Sequence, residues 1–406
     1  MRRLTGDGSL PLAVVLHIAY TGYGVVRSLT SEGIPVVAFQ KDKTPPEASS
    51  KLCQQLITFN DDKELLEKLV SLTEKRQKKP VLFITSDIYV EFFIRHRDDL
   101  EKHYLIHYPD SETVELLLSK GKFFEYAQRH DLPFPKSFMI NSLESLNERI
   151  NRFIFPAIVK PFTKTPEWLA AKLEKAYLVN RAEELLTLYQ RIQKIEPGIL
   201  VQEWVPGPDS NVEYCLTYFD GESRCLASFT GAKIRQWPVG TGSTASTCPV
   251  SNELITQQTL ALFKNLRYRG FGSVEYKKHE VNGKYYIMEP TVGRPNQQSY
   301  VATANGLNMP LIAYNSLTDL NIGNPRIKLQ KPVFYIDEWG EIGSVLVHLK
   351  RGHNCLWDFF GLLNKRKSFR YYDPRDKQVF ISSCIKLARF AWRRMPFRLL
   401  RKGNNK

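Results

Sequence analysis

Apolar positions fall in unbroken runs near the start of the chain and in spaced or alternating patterns further on. Leu12 to Ile18, Ile34 to Phe39 and Pro80 to Thr85 are near-continuous apolar runs. Such runs suit central parallel strands, which are buried on both faces. After the first run, Gly22 and Gly24 lead into a helix through Val25, Val26, Ser28 and Leu29, which Gly33 closes. Asp61 to Lys75 is helical by composition, and Ile88 to Phe93 opens another helix. Residues 1–110 are therefore expected to form an α/β domain with a parallel sheet.

The pattern then changes. Ser111 to His130 reads as one helix containing Ser119-Lys120-Gly121-Lys122, and Asp131-Leu132-Pro133-Phe134-Pro135 breaks the chain after it. Phe155 to Pro161 is a strand whose Lys160 stands just before a proline; the position suits an ammonium reaching into a cleft, though taken alone a surface lysine with its stem on the sheet is the commoner case. Tyr177 to Val179 is a strand and Arg181 to Lys194 a helix. A further strand from Gly198 runs through Gln202-Glu203-Trp204-Val205 into a Pro206-Gly207 turn and Asp209. Val212 to Phe219 and Cys225 to Phe229 are strands around Asp220-Gly221, and a loop of small residues, Gly240 to Thr244, follows Lys233 to Pro238. Ile255 to Asn265, Ser299 to Gly306 and Met309 to Leu317 are helical, and Tyr335 to His348 adds a strand or two.

Between these helices lies a hairpin, Ser273 to Glu280 and Lys284 to Glu289, around Val281-Asn282-Gly283. A two-residue Asn-Gly turn would set Glu275 opposite Pro290. A three-residue loop with Gly283 left-handed would set Glu275 opposite Glu289. Two carboxylates side by side repel unless a cation sits between them. On the residues alone, an exposed hairpin with two solvated glutamates is the competing reading.

Composition narrows the field. Hydrophobic residues make up 43% and charged residues 24% of 406, the balance of a globular protein. The net charge of +15 and a pI near 9.4 point to an anionic partner: a nucleotide, a nucleic acid or an anionic membrane face. The six cysteines are scattered without CxxC or zinc spacing, as expected of reduced, mostly buried thiols in a cytosolic protein. A signal peptide is the alternative for the first twenty or so residues, against which stand His17 and the glycine segment. The glycines could meet an anion at a helix N-terminus or simply tighten a turn, and Arg27 occupies the place of the third glycine of a dinucleotide fingerprint.

The order of elements resembles the ATP-grasp superfamily over residues 12–320. It comprises a βα domain, a lysine on a helix, a lysine ending PAIVKP, the QEWVPGPD segment and the carboxylate hairpin. Within that superfamily, KIRQWP and EPTVGRPN resemble the carboxylate–amine ligase group, which includes D-aspartate ligase-like and D-alanine–D-alanine ligase-like enzymes. The resemblance implies an α/β fold with a Rossmann-like domain at 1–110 and an ATP-grasp domain at 111–325. The latter divides into a small lobe at 111–203 and a metal and catalytic lobe at 204–325, and a C-terminal extension follows at 326–406. It implies ATP and Mg2+ as cofactors. Lys122 and Lys160 would hold phosphates, Gln202, Glu203, Trp204 and Val205 the adenine edge, and Asp209 the ribose, with Glu213 as fallback. Glu275 and Glu289 would ligate magnesium. The family's asparagine two residues after the second glutamate is Thr291 here, with Asn296 as the substitute ligand, and its arginine before the first metal carboxylate is Ser273. Arg294 and Arg235, helped by Lys233, would clamp the carboxylate or the oxyanion.

The implied reaction joins small-molecule or lipid-linked carboxylate and amine substrates. The rival readings are a dinucleotide-dependent oxidoreductase and a non-enzymatic nucleotide-binding scaffold. From Ile381 onward the chain carries eight basic residues and no acid, interleaved with Phe390, Trp392 and Phe397. This stretch is expected to meet an anionic membrane surface, on the inner face of the membrane of a cytoplasmic protein; a disordered basic tail is the competing reading, and nucleic acid comes behind both.

Overall fold

The computed structural model describes residues 10–394 except 75, 163–164, 175 and 353–354. Three sheets organise it. The first contains β1 (Ala13–Leu16), β2 (Val36–Gln40), β3 (Gln55–Thr58) and β4 (Val81–Ile84), all parallel, in the order β3-β2-β1-β4. On β1, Val14 and Leu16 enter one hydrophobic core while Ala13 and Val15 enter another, so the strand is buried on both faces as its unbroken apolar run requires.

The second sheet is antiparallel: β5 (Ser137–Ile140), β6 (Ala157–Pro161), β7 (Tyr177–Val179) and β8 (Ile199–Glu203), in the order β5-β8-β6-β7. It has its own core around Ile140, Trp168 and Tyr189. The third sheet has seven strands: β9 (Val212–Phe219), β10 (Cys225–Trp237), β11 (Ser243–Pro249), β12 (Gly270–Lys278), β13 (Tyr285–Val292), β14 (Phe334–Ile336) and β15 (Lys367–Phe369). Their order is β13-β12-β9-β10-β11-β14-β15. This sheet shares both large cores with the parallel sheet, through Val274, Tyr276 and Ile287 in one and Tyr214, Leu216 and Tyr218 in the other. The small sheet is therefore the separately packed unit, joined by the chain after β8.

Several expectations are revised. The segment from 111 to 130 is two helices, Ser111–Leu118 and Lys120–Arg129, because Ser119 leaves helical geometry and its Oγ accepts the Lys122 N–H as an N-cap. Strand β10 runs to Trp237 instead of stopping at Phe229, and Ser243 and Thr244 of the small-residue segment after it open β11. The expected C-terminal extension adds β14 and β15 to the seven-stranded sheet. The glycines after β1 have a packing reason: a Cβ on Gly22 would lie 2.1 Å from the His17 carbonyl oxygen, and one on Gly24 would press on Tyr300. Arg27 is buried over the Tyr300 ring, 3.6 Å from its centroid, and donates to Phe369 O. All six cysteines are free: two are buried, three half-buried, and Cys225 is exposed.

Candidate functional site

The hairpin supplies the acidic pair. Glu275 of β12 stands directly opposite Glu289 of β13. The route to that pairing differs from expectation. The loop holds four residues, Glu280 to Gly283, closed by His279 N–H donating to Lys284 O, with Gly283 at φ 68°. Such a loop alone would slip the register by one. A bulge at Met288 restores it, since Tyr276 faces Ile287 while Glu275 faces Glu289.

Each carboxylate meets a lysine from another element. Lys233 Nζ of β10, almost fully buried, lies 2.7 Å from Glu275 Oε2. Lys120 Nζ lies 3.3 Å from Glu289 Oε1. Lys120 lines a narrow cleft with Lys160, Phe123, Leu200, Met288 and Glu289, so the small sheet and the hairpin face each other across it. The expected helix lysine, Lys122, is not in this cleft. With Ser119 as N-cap, Lys120 and Lys122 are the first and third helical residues, about 200° apart around the axis. Lys122 accordingly projects to an exposed pair with Glu115.

Lys160 Nζ donates to Gln202 Oε1 (3.0 Å), and Gln202 Nε2 to Ser137 Oγ. The buried Gln202 side chain thus braces Lys160 within the small sheet. Beyond it the chain crosses to β9. Glu203 N–H donates to Lys136 O and Trp204 N–H to Pro156 O; among the described residues no acceptor takes the Val205 N–H. Asp209 is committed to protein groups: it accepts from Gln236 N (2.9 Å), Gln236 Nε2 (3.0 Å) and Gly240 N (3.2 Å). Gln236 Oε1 in turn accepts from Lys233 Nζ (3.0 Å). One chain of contacts therefore runs from the crossing at Asp209 to Glu275. Glu213 is removed from this site. Strand alternation turns it to the opposite sheet face, where it accepts from Asn252 and Tyr285.

The arginines are also placed differently. Arg235 is buried in an ion pair with Glu341 of the Glu338–Lys350 helix, Nε to Oε1 2.6 Å. Arg294 reaches the first domain, where its Nε pairs with Asp87. Neither contacts the acidic pair. Asn296 does approach the hairpin: its Nδ2 donates to Ser273 Oγ (2.9 Å) and Thr291 Oγ1 (3.2 Å), residues that oppose one another next to the Glu275–Glu289 pair along the same sheet face.

No family model matches the chain. D-aspartate ligase of Enterococcus faecium (strain Aus0004) is 27% identical over 304 residues, covering 71% of this chain and 72% of that protein. The ADP complex of an N5-carboxyaminoimidazole ribonucleotide synthetase superposes with a TM-score of 0.62 at 17% identity, over 84% of this chain and 86% of that one. Biotin carboxylase of Campylobacter jejuni, in complex with a nucleotide, gives 0.62 at 11% identity, over 79% and 74%. The chain resembles D-aspartate ligase in sequence, and it shares the overall fold of the synthetase and of biotin carboxylase. The ligase likeness agrees with the resemblance to the carboxylate–amine ligase group of the ATP-grasp superfamily.

One residue close to the acidic pair escapes the motif pattern. Lys277 is buried and sits over the Trp204 ring, 4.2 Å from its centroid. Ser273, Glu275 and Lys277 alternate along one face of β12, so the period-two pattern places Lys277 one step, about 7 Å, beyond Glu275. Burial lowers its pKa to about 8, against the opposing pull of Asp209 and Glu280. The signal was present in VEYKKHE, where every second residue faces the cleft.

Proposed function

We propose that the chain is an ADP-forming ligase that joins a carboxylate to an amine through an acylphosphate. The observation that carries this reading is the Glu275–Glu289 pair facing Lys120 and Lys160 across one cleft. The donors fit magnesium: two carboxylates on one sheet face, with the neutral Asn296, Thr291 and Ser273 beside them, and no larger cluster of acidic, histidine or cysteine ligands among the described residues. Glu275 and Glu289 would hold the metal, which would supply positive charge against the charge that develops as the phosphoryl group moves.

Lys120 and Lys160 hold phosphate oxygens as point charges. Lys233, now neutralised by Glu275, supplies a further cation beside the transferring group. The Val205 N–H donates to the adenine edge, and Lys277 contacts the ribose or base over the Trp204 ring. Asp209 anchors the start of the Gly240 loop to the crossing. The substrate carboxylate oxygen bonds to the γ-phosphorus as the bridging P–O bond breaks and ADP leaves. The amine nitrogen then bonds to the acyl carbon, phosphate departs with the C–O bond pair, and the ammonium proton is lost. Positioning and positive charge provide the catalysis. Arg294, at the junction with the first domain, suits the substrate carboxylate if Asp87 yields it.

The relative named D-aspartate ligase makes D-amino acids, D-aspartate included, the first carboxylates to try, with cell-envelope or polysaccharide precursors as amines. No helix among the described residues is long and apolar enough to cross a membrane. The expected membrane stretch from 381 is described to 394, in the Lys377–Arg394 helix, where Ile385, Leu387 and Phe390 are exposed beside Lys386 and Arg389; residues 395–406 lie outside the described residues. The test of the reaction is ADP release with magnesium over a panel of acids and amines. Release that needs both substrates supports the ligase, and tight ATP binding without any such release points to a scaffold.

Three substitutions probe the placement of the lysines. Lys120→Met is expected to lower kcat/KM by about a hundredfold through loss of a phosphate cation. Lys122→Met, on the exposed face, should change it by less than about twofold; equal losses would restore Lys122 to the site. Lys277→Met should raise the KM for ATP about tenfold, the worth of one lost hydrogen bond of about 1.4 kcal/mol, with kcat little changed. Because Lys277 loses its proton near pH 8, the wild-type KM for ATP should climb as pH rises through that value, and the variant should show no such limb.

A further inference from the structure

The Leu356–Leu363 helix, sequence LWDFFGLL, is attached to the body by a minority of its side chains. Cys355 just before it and Leu362 within it are buried, and Cys355 Sγ contacts Val345 O of the Glu338–Lys350 helix. At 100° per residue, Cys355, Phe359 and Leu362 share the inner arc. Leu363, Leu356, Phe360 and Trp357 occupy a separate arc of about 120°, and all four are exposed, Trp357 by 79% and Phe360 by 54%. The neighbouring helix adds exposed Ile342 and Leu346, one turn apart.

The flanks of this apolar arc are basic. Lys350 and Arg351 precede the helix and Lys365, Arg366 and Lys367 follow it, against the single acid Asp358. Lys367 Nζ folds back on Leu363 O and so caps the helix C-terminus, while Lys365 and Arg366 are exposed. A short helix with an aromatic and leucine face between cations has the make-up of an element lying in the headgroup region of an anionic bilayer, with the tryptophan at the polar boundary. Charge complementarity also argues against a second copy of this strongly basic chain as the occupant. Four side chains present several hundred Å² at most, well below the roughly 800 Å² per partner of a stable interface.

We propose that the Leu356–Leu363 helix is a membrane-contact element that seats the protein on anionic lipid, separately from the 381–406 stretch and independently of the cleft chemistry. Leu356, Trp357, Phe360 and Leu363 enter the acyl boundary, and Lys365 and Arg366 meet lipid phosphates.

The experiment is co-sedimentation of the full chain with vesicles of phosphatidylcholine alone and of phosphatidylcholine with phosphatidylglycerol. The wild type should pellet with the anionic vesicles only. Trp357→Ser/Phe360→Ser should weaken that partition about tenfold or more, with the thermal midpoint unchanged because both side chains face solvent. Lys365→Gln/Arg366→Gln should weaken it less and flatten its salt dependence. Three results would overturn the proposal. The wild type could stay in the supernatant. The Trp357/Phe360 variant could pellet like the wild type, which would hand any binding to the 381–406 stretch. Or the wild type could be a dimer that this variant converts to a monomer.

Discussion

Glu289→Gln is expected to lower kcat by about a thousandfold while leaving the fold intact. The replacement keeps the size and shape of the side chain and removes one negative charge. Glu289 is partly exposed at the cleft mouth, and its Lys120 partner keeps some access to solvent. In the proposed reaction the effect is large for two reasons. A neutral amide is a poor magnesium ligand beside a carboxylate. The charge that develops on the transferring phosphoryl group is then met by a displaced cation. Magnesium-free nucleotide should still bind, since Lys120 and Lys160 keep their charges. Steady-state ADP release and a magnesium titration separate the two effects. A variant that turns over within a few-fold of the wild type would remove Glu289 from the metal end of the cleft.

The second large effect concerns stability. Glu341→Ala is expected to destabilise the protein by about 3–5 kcal/mol, because it leaves the buried Arg235 guanidinium without its counter-charge. Both partners are nearly inaccessible to solvent, and their contact ties the Glu338–Lys350 helix to β10. Arg235→Met/Glu341→Leu should recover most of the loss, since two apolar groups of similar size carry no desolvation cost. The urea midpoint measures this directly. The same experiment reassigns Arg235, which the sequence marks as an oxyanion clamp. A side chain serving substrate alone would lower kcat in Arg235→Met and leave the midpoint where it was.

The parallel sheet was legible because its strands are buried on both faces, and the chain prints that burial as unbroken apolar runs. The carboxylate pair was legible as well, through the glycine turn and the tyrosine-rich strands. Its mechanism was not: the loop is one residue longer than expected, and the compensating bulge at Met288 leaves no mark in composition or alternation. Lys120 was missed although its signal was present. Recognising Ser119 as an N-cap divides the helix and turns Lys122 outward. Lys277 was likewise readable from period two. The partners of Arg235 and Arg294 could not be read, since Glu341 and Asp87 lie 106 and 207 residues away and only the tertiary fold brings them close. The commitment of Asp209 to Gln236 and Gly240 has the same origin.

The most direct test of the central claim, that Glu275 and Glu289 form the metal end of an ATP cleft, is a calorimetric titration with a non-hydrolysable ATP analogue. It is run with and without magnesium on the wild type and on Glu275→Gln/Glu289→Gln. Wild-type affinity should rise at least tenfold when magnesium is added, about 1.4 kcal/mol, and the double variant should show the same affinity under both conditions. Magnesium enhancement that survives in the double variant, or a wild type that does not bind the analogue, would contradict it.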